Sequence, residues 1–499
     1  MVDVAITGGT IRGTTEYGVA RFLGIPYAAP PFGPHRMKPP APVRPWHGVR
    51  EATSYGPTAP KGEYPPQYRA IFPEPVIPGG ECLNLNVWTP ADALPGGSLP
   101  VFVWVHGGSF TNGSNAVAAY DGSAFARDGV VCVAVNYRLG AEGFLFTAAD
   151  RGAGTANLGL LDQIAALRWV QANIRAFGGD PARVTVGGQS AGAMAVTTLL
   201  SMPSAAGLFS QVIAQSGAAA NTLTAETGIA VARTLAGRLG TEPERAAIAD
   251  VDLDSVVEAV TELVTEIQTT RDVAKWGALA LSTLPFAPVV DSANLPRHPL
   301  EAFRSGAGSD VAVLAGANRQ EARLFLVAPG IIGDIDETAL AELAAAYGLP
   351  RAGLETYRRR FPGLAPGDLL AQVVTDWYYT VPAVRLAEAR AQGGGTTWVY
   401  RFDWPRPEDN HGLGAAHAVE LPYVFDTTGR PELEPLIGPA PSRAVAASTH
   451  DVWVRFITGG DPGWPAYRAG TRTTALLGET VSVVDDPDAA LRRAWDGRR

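Results

Sequence analysis

A serine set between glycines, Gly188-Gln189-Ser190-Ala191-Gly192, follows the β-branched run Val184-Thr185-Val186. Small helix formers, Ala193-Met194-Ala195-Val196, come next. The pattern predicts a strand, a tight turn and a helix, with Ser190 at the apex. Glycine is needed at 188 and 192 because a Cβ there would clash across so sharp a turn. Such a turn pushes the hydroxyl out of the sheet, where a base can reach it. The chemistry this suggests is nucleophilic attack by a serine. That chemistry needs three more parts: donors for an oxyanion, a base and an acid.

Oxyanion donors are sought after an apolar strand. Val105-His106-Gly107-Gly108-Ser109-Phe110 follows Val101-Phe102-Val103-Trp104, and glycines let a carbonyl oxygen come close to backbone N–H groups. Gly107, Gly108 and Ala191 are the candidate donors. Alone, the Gly-Gly pair would read as an ordinary loop. His106 reads as structural. The base should follow the acid along the chain. Of seven histidines, three lie in the C-terminal fifth: His411, His417 and His450. His417 sits among small residues in Gly414-Ala415-Ala416-His417-Ala418 and has room on both sides. His411 lies in a polar turn and is the alternative. His450 lies in a helical pattern and reads as a surface or cap residue. The acid candidate is Glu321, just beyond the apolar run Val311-Ala312-Val313-Leu314-Ala315. It could instead begin a helix or pair with Arg319. Asp291 is the next candidate and reads as a loop-fixing carboxylate.

These side chains must be positioned by a frame. Val101–Val105, Val130–Val135, Val184–Val186, Val311–Ala315 and Thr397–Phe402 are short apolar runs without alternation. Strands of that kind are buried on both faces, as in a parallel sheet between helix layers. Leu160, Ile164, Leu167 and Ile174 mark one face of a helix over about 158–176. Helical blocks at about 222–274 and 337–390 read as insertions that decorate the sheet and roof a substrate pocket. The segment 444–456 reads as a packing helix. The first hundred residues read as small strands and ordered loops. No linker divides the 499 residues, so one elaborated domain over 1–499 is expected.

The composition, with 46% apolar residues, allows a large core. A net charge of −9 and the lack of a basic cluster argue against a nucleic-acid surface. No apolar run of membrane-spanning length is present, and no leader is visible at the N-terminus. Cys82 and Cys132 lie in no metal-type spacing. Cys132 reads as a small core residue, and so few cysteines suggest a reducing cytoplasm. Neither a metal nor a cofactor is called for.

Over nearly its whole length the chain resembles the type-B carboxylesterase family, which includes bacterial p-nitrobenzyl esterases and cholinesterases. The resemblance rests on the motifs above and on Phe22-Leu23-Gly24-Ile25-Pro26-Tyr27, Cys82-Leu83-Asn84-Leu85-Asn86-Val87 and Asn136-Tyr137-Arg138-Leu139-Gly140. It continues through Gly159-Leu160-Leu161-Asp162-Gln163, Phe177-Gly178-Gly179-Asp180-Pro181 and Glu420-Leu421-Pro422-Tyr423-Val424-Phe425. It implies an α/β-hydrolase fold, with a central, mostly parallel sheet flanked by helices. It also implies a Ser190-Glu321-His417 triad with Ser216 as a supporting serine. There are three departures. Gln189 stands where the family usually has Glu, so plain hydrogen bonds would replace a buried ion pair. Ser109 stands where Gly or Ala is common. The cysteine that often pairs with the position of Cys82 is missing, because the matching region reads Thr58-Ala59-Pro60-Lys61, so Cys82 is expected to be a free thiol.

The expected activity is hydrolysis of small-molecule carboxylic esters through an acyl-enzyme. Phe110, Phe286 and Phe325, with Ser109, suggest a pocket for an uncharged, apolar acyl group, although the aromatics could equally be core. One alternative keeps the triad but acts on amides, carbamates or thioesters, or transfers the acyl group. Another is a non-enzymatic binding protein on the same fold.

Overall fold

The computed structural model describes residues 1–94 and 96–498. They form two compact units. The first comprises Met1–Glu63, Glu74–Ile213 and Ala219–Ala302. The second comprises Tyr64–Pro73, Ala214–Ala218 and Phe303–Arg499.

The strands of the first unit are β1 (Val2–Ile6), β2 (Gly9–Glu16), β3 (Val19–Pro26), β4 (Val49–Glu51), β5 (Asn84–Pro90), β6 (Leu99–Val105), β7 (Val131–Val135) and β8 (Gly179–Gln189). They lie in the order β1-β2-β3-β5-β7-β6-β8, with β4 beside β2. The pairs β1–β2, β2–β3, β3–β5 and β5–β7 are antiparallel. The heart of this sheet is parallel, because β6 runs parallel to both β7 and β8. Every residue of β7 is buried, as are the last six of β6, so the apolar runs lack alternation for the expected reason. Val105 of β6 stands opposite Gly188 of β8 and Val135 of β7. The loops after β6 and β8 therefore leave the sheet at the same carboxyl end, where α/β folds place their chemistry.

Several of the motifs behind the resemblance meet in this unit. Arg138 donates from Nε and Nη2 to Asp162 at 2.8 and 2.6 Å and from Nη1 to Lys38 O at 2.7 Å, in full burial. Phe22 meets Phe177 edge to face at 5.1 Å. Asn115 joins Asn84 and Asn136, donating from Nδ2 to Asn84 Oδ1 at 3.0 Å and from its N–H to Asn136 Oδ1 at 2.7 Å. The helix predicted over 158–176 is α-helical over Leu158–Asn173. It tightens into a 3₁₀ turn over Ile174–Phe177 and stops at Gly178, whose φ is 80°. The block at 222–274 supplies the helices Ala225–Leu239 and Leu253–Thr270.

β9 (Gln211–Gln215) begins in the first unit and ends in the second. The second unit holds β10 (Ala312–Asn318), β11 (Thr397–Phe402), β12 (Thr473–Leu477) and β13 (Ser482–Asp485). The pairs β10–β11 and β11–β12 are parallel, and β12–β13 is antiparallel. Asn318 stands opposite Phe402, so both strands end at one level. The block at 337–390 forms four helices, Glu337–Ala346, Arg351–Arg360, Pro366–Thr375 and Val381–Gln392. A π-helical turn, Asp376–Thr380, joins the last two. Among the described residues, no helix is long and apolar enough to cross a membrane.

Candidate active site

In the first unit, β8 ends at Gln189 and the helix Ala191–Ser201 begins at Ala191, with Ser190 between them at φ 57° and ψ −125°. A positive φ on a serine is strained and persists only where the surroundings impose it. Both glycines of the turn are sterically required. A Cβ on Gly192 would lie 2.1 Å from Val105 O, and one on Gly188 would lie 2.5 Å from Gly192 C. Ser190 is half-buried. Ala191 carries one of the four N–H groups that a helix N-terminus leaves without an internal acceptor.

The Gly107–Gly108 loop lies against this elbow. A Cβ on Gly107 would meet Gln189 O at 2.8 Å, Gln189 Oε1 at 2.9 Å and Ser190 Cβ at 3.1 Å. Gln189 is buried. His106 is structural, as expected. Its Nδ1 lies 2.8 Å from Gly107 O and its ring stacks on Tyr137 at 4.5 Å. Burial pulls its imidazole down to about 3, so it stays neutral at working pH. Ser109 is half-buried with φ 56°. Phe110 and Phe286 have no exposed surface, and Phe110 packs on Phe144 at 4.7 Å. Neither ring presents a free face. Asp291 fixes a loop, accepting from Arg151 Nη1 at 2.8 Å.

In the second unit, Glu321 and His417 are joined. His417 Nδ1 lies 2.7 Å from Glu321 Oε2, and His417 N donates to Glu321 O at 3.1 Å. Glu321 is completely buried. Its other oxygen, Oε1, accepts from the Asn318 N–H at 2.6 Å. The loop after β10 is laced to the loop carrying the histidine, with Gln320 N donating to Ala415 O at 2.9 Å and Ala415 N to Gln320 Oε1 at 3.2 Å. Phe325 and Tyr379 flank the imidazole at 5.4 and 4.9 Å between ring centroids. Ser216, with φ 51°, donates its N–H to Gly316 O at 2.8 Å. Its Oγ is buried without a hydrogen-bond partner.

The other two histidines differ in setting. His411 is exposed. His450 corrects the surface or cap reading. It lies on the helix Arg443–Gly459, buried, with Nδ1 2.6 Å from Val424 O. The helical pattern around it was legible, but the packing that covers it was not.

Residues given no site role from the sequence complete the neighbourhood. Asn318 Nδ2 donates to Glu420 Oε2 at 2.5 Å and to Ala416 O at 2.7 Å. Gln215 Nε2 donates to Glu420 Oε1 at 3.2 Å. Burial, then the nearby charge of Glu321, pushes the Glu420 carboxyl up to about 7. Its place three residues after His417 was the available signal. Cys82 and Cys132 are free and buried. Burial pushes the Cys82 thiol up to about 12 and raises Cys132 as well, so neither is a reactive thiolate.

Comparison with known proteins agrees with this chemistry. The model of the carboxylesterase family matches residues 2–482. The para-nitrobenzyl esterase of Bacillus subtilis (strain 168) is 36% identical over 97% of this chain and 96% of its own. The phenmedipham hydrolase of Pseudarthrobacter oxydans is 33% identical over 96% and 95%. A solved PNB esterase structure covers 99% of both chains at 34% identity, with a TM-score of 0.85. The strand–elbow–helix and the parallel strands are those of an α/β-hydrolase fold, and the chain belongs to the carboxylesterase family, as a serine hydrolase that cleaves carboxylic esters.

Proposed function

We propose that Ser190 is the nucleophile, His417 the general base and then acid, and Glu321 the carboxylate that orients the imidazole. The observation that carries this reading is the Glu321–His417 hydrogen bond at 2.7 Å, which supports His417 over His411 and His450. Ser190 Oγ attacks the ester carbonyl carbon as His417 takes its proton. The oxyanion is held by the N–H groups of Gly107, Gly108 and Ala191. Collapse expels the alcohol, protonated by His417. Water, deprotonated by His417, then attacks the acyl-enzyme and releases the acid. Glu321 holds the imidazole through Nδ1, so that Nε2 faces the reaction. Ester and water balance the cycle.

Gln189 and Ser216 serve as supports, Gln189 through its carboxamide beside Gly107. Ser109 and Phe325 favour an uncharged, apolar acyl group, whereas the full burial of Phe110 and Phe286 favours a packing role for them. Two unpaired thiols fit a cytoplasmic setting.

Fluorophosphonate labelling tests the assignment. The expected result is one label on Ser190, and none on a folded Ser190→Ala variant whose turnover has dropped by several orders of magnitude. A variant keeping most of its activity would move the nucleophile elsewhere. A p-nitrophenyl ester series of increasing acyl length, run beside an anilide and a thioester, separates ester cleavage from the alternatives.

A further inference from the structure

The loop carrying Gly107 and Gly108 is gripped by a buried ion pair from a distant stretch of the chain. Lys61 Nζ lies 2.5 Å from Glu74 Oε1, with the side chains 1% and 8% exposed. The pair holds both polar groups of one residue. Gly113 N donates to Glu74 Oε1 at 2.5 Å, and Lys61 Nζ donates to Gly113 O at 2.9 Å. Each charge meets the end of the backbone that it suits, the anion on the N–H and the cation on the C=O. Next to it, Asn112 Nδ2 donates to Gly62 O at 2.8 Å.

Gly113 in turn rests on the oxyanion loop. Its φ is 97°, and a Cβ there would fall 2.1 Å from Gly107 O and 2.3 Å from His106 Nδ1. Thr111 N and Asn112 N both donate to Gly108 O, at 3.0 and 2.8 Å, which closes a turn over residues 108–112, directly before Gly113. Any shift of Gly113 is therefore passed to Gly107 and Gly108. Burial lowers the Lys61 pKa from its ordinary value. A buried pair of charges is a costly way to hold a loop by hydrophobic standards, and geometry is what it supplies in return.

We propose that Lys61 and Glu74 are positioning residues that fix the Gly113 peptide and, through it, the directions of the Gly107 and Gly108 N–H groups. This rests on reading those two glycines as oxyanion donors. A donor turned away from the developing charge costs rate without costing ground-state binding.

The test uses the full chain with Lys61→Met and, separately, the nearly isosteric Glu74→Gln. Each variant is assayed with a p-nitrophenyl ester and with two inhibitors, a trifluoromethyl ketone and its matching methyl ketone. The trifluoromethyl ketone adds a serine and so presents an oxyanion; the methyl ketone largely does not. The expected result for Lys61→Met is a kcat lower by roughly tenfold to a hundredfold with KM within about twofold. Its trifluoromethyl ketone affinity falls in step while methyl ketone affinity holds. Glu74→Gln, which keeps a neutral acceptor, shows the same pattern more weakly. If Lys61→Met does not fold, Glu74→Gln decides by the same readout. Folded variants with wild-type kcat and an unchanged ketone ratio overturn the proposal and leave the oxyanion reading standing. A wild-type enzyme with no preference for the trifluoromethyl ketone overturns the oxyanion reading itself.

Discussion

Ser190 and His417, the proposed nucleophile and base, are held in place by different physical means. Ser190 depends on backbone strain that its own neighbours impose, through Gly188 and Gly192 packed against Val105 and each other. His417 depends on a carboxylate 96 residues away in sequence. A base must be neutral to accept a proton, so kcat/KM is expected to fall in acid with a single ionisation. The sign is fixed, because only the deprotonated imidazole can take the serine proton. The pH–rate profile checks this, and a rate that stays flat to about pH 4 would remove His417 from the role. Burial and the neighbouring Glu321 charge push the Glu420 carboxyl up to about 7. With His417 as the proposed base, the acid limb is expected to persist in a Glu420→Gln variant.

Among the elements, the π-helical turn Asp376–Thr380 brings an aromatic ring beside His417. π-turns interrupt α-helices at the cost of regular bonding and gather at functional places. This one carries Tyr379, whose ring lies 4.9 Å from that of His417. At its start, Asp376 Oδ2 accepts from Tyr357 OH at 2.5 Å, and Tyr357 OH accepts from Trp495 Nε1 at 2.7 Å. Burial raises the Asp376 carboxyl from 3.8 to about 7. The folded state thus holds this proton more tightly than the unfolded state. Stability from this group is complete below pH 3.8 and is lost as pH rises towards about 7. Asp376→Asn removes the titration. The wild type is expected to lose stability relative to this variant across that window, by up to about 1.4 kcal/mol per pH unit. Urea unfolding at pH 4, 5.5 and 7 reads the difference, and a constant gap would contradict it.

At the scale of the molecule, the motifs that carry the resemblance turn out to be contacts. Arg138 and Asp162, from two of those motifs, form a fork of hydrogen bonds and also reach Lys38. Both are fully covered, at 1% and 0% exposure, so removing one partner leaves a buried charge alone. Asp162→Asn is expected to destabilise the protein by about 3–5 kcal/mol. Arg138→Met with Asp162→Leu is expected to recover much of that loss, since an apolar pair strands no charge. Thermal unfolding of the single and double variants checks this. If the single variant melts like the wild type, the pair carries no such weight.

What the sequence determined by itself was local or patterned. The strand, tight turn and helix around Ser190 were legible because turn sterics act between residues at most a few positions apart. The apolar strands were legible because burial on both faces leaves no alternation, and Thr397–Phe402 appears with the predicted bounds. The order of serine, acid and histidine, together with the family motifs, pointed to ester hydrolysis. Only the tertiary structure decided which side chains share an environment. It joined Glu321 to His417, set Glu420 beside Asn318, covered His450 and Phe286, and closed Lys61 and Glu74 on Gly113. Steric rules of the backbone are written within a few residues. Burial, charge and hydrogen bonding are set by segments far along the chain, and no local pattern records which of them will meet.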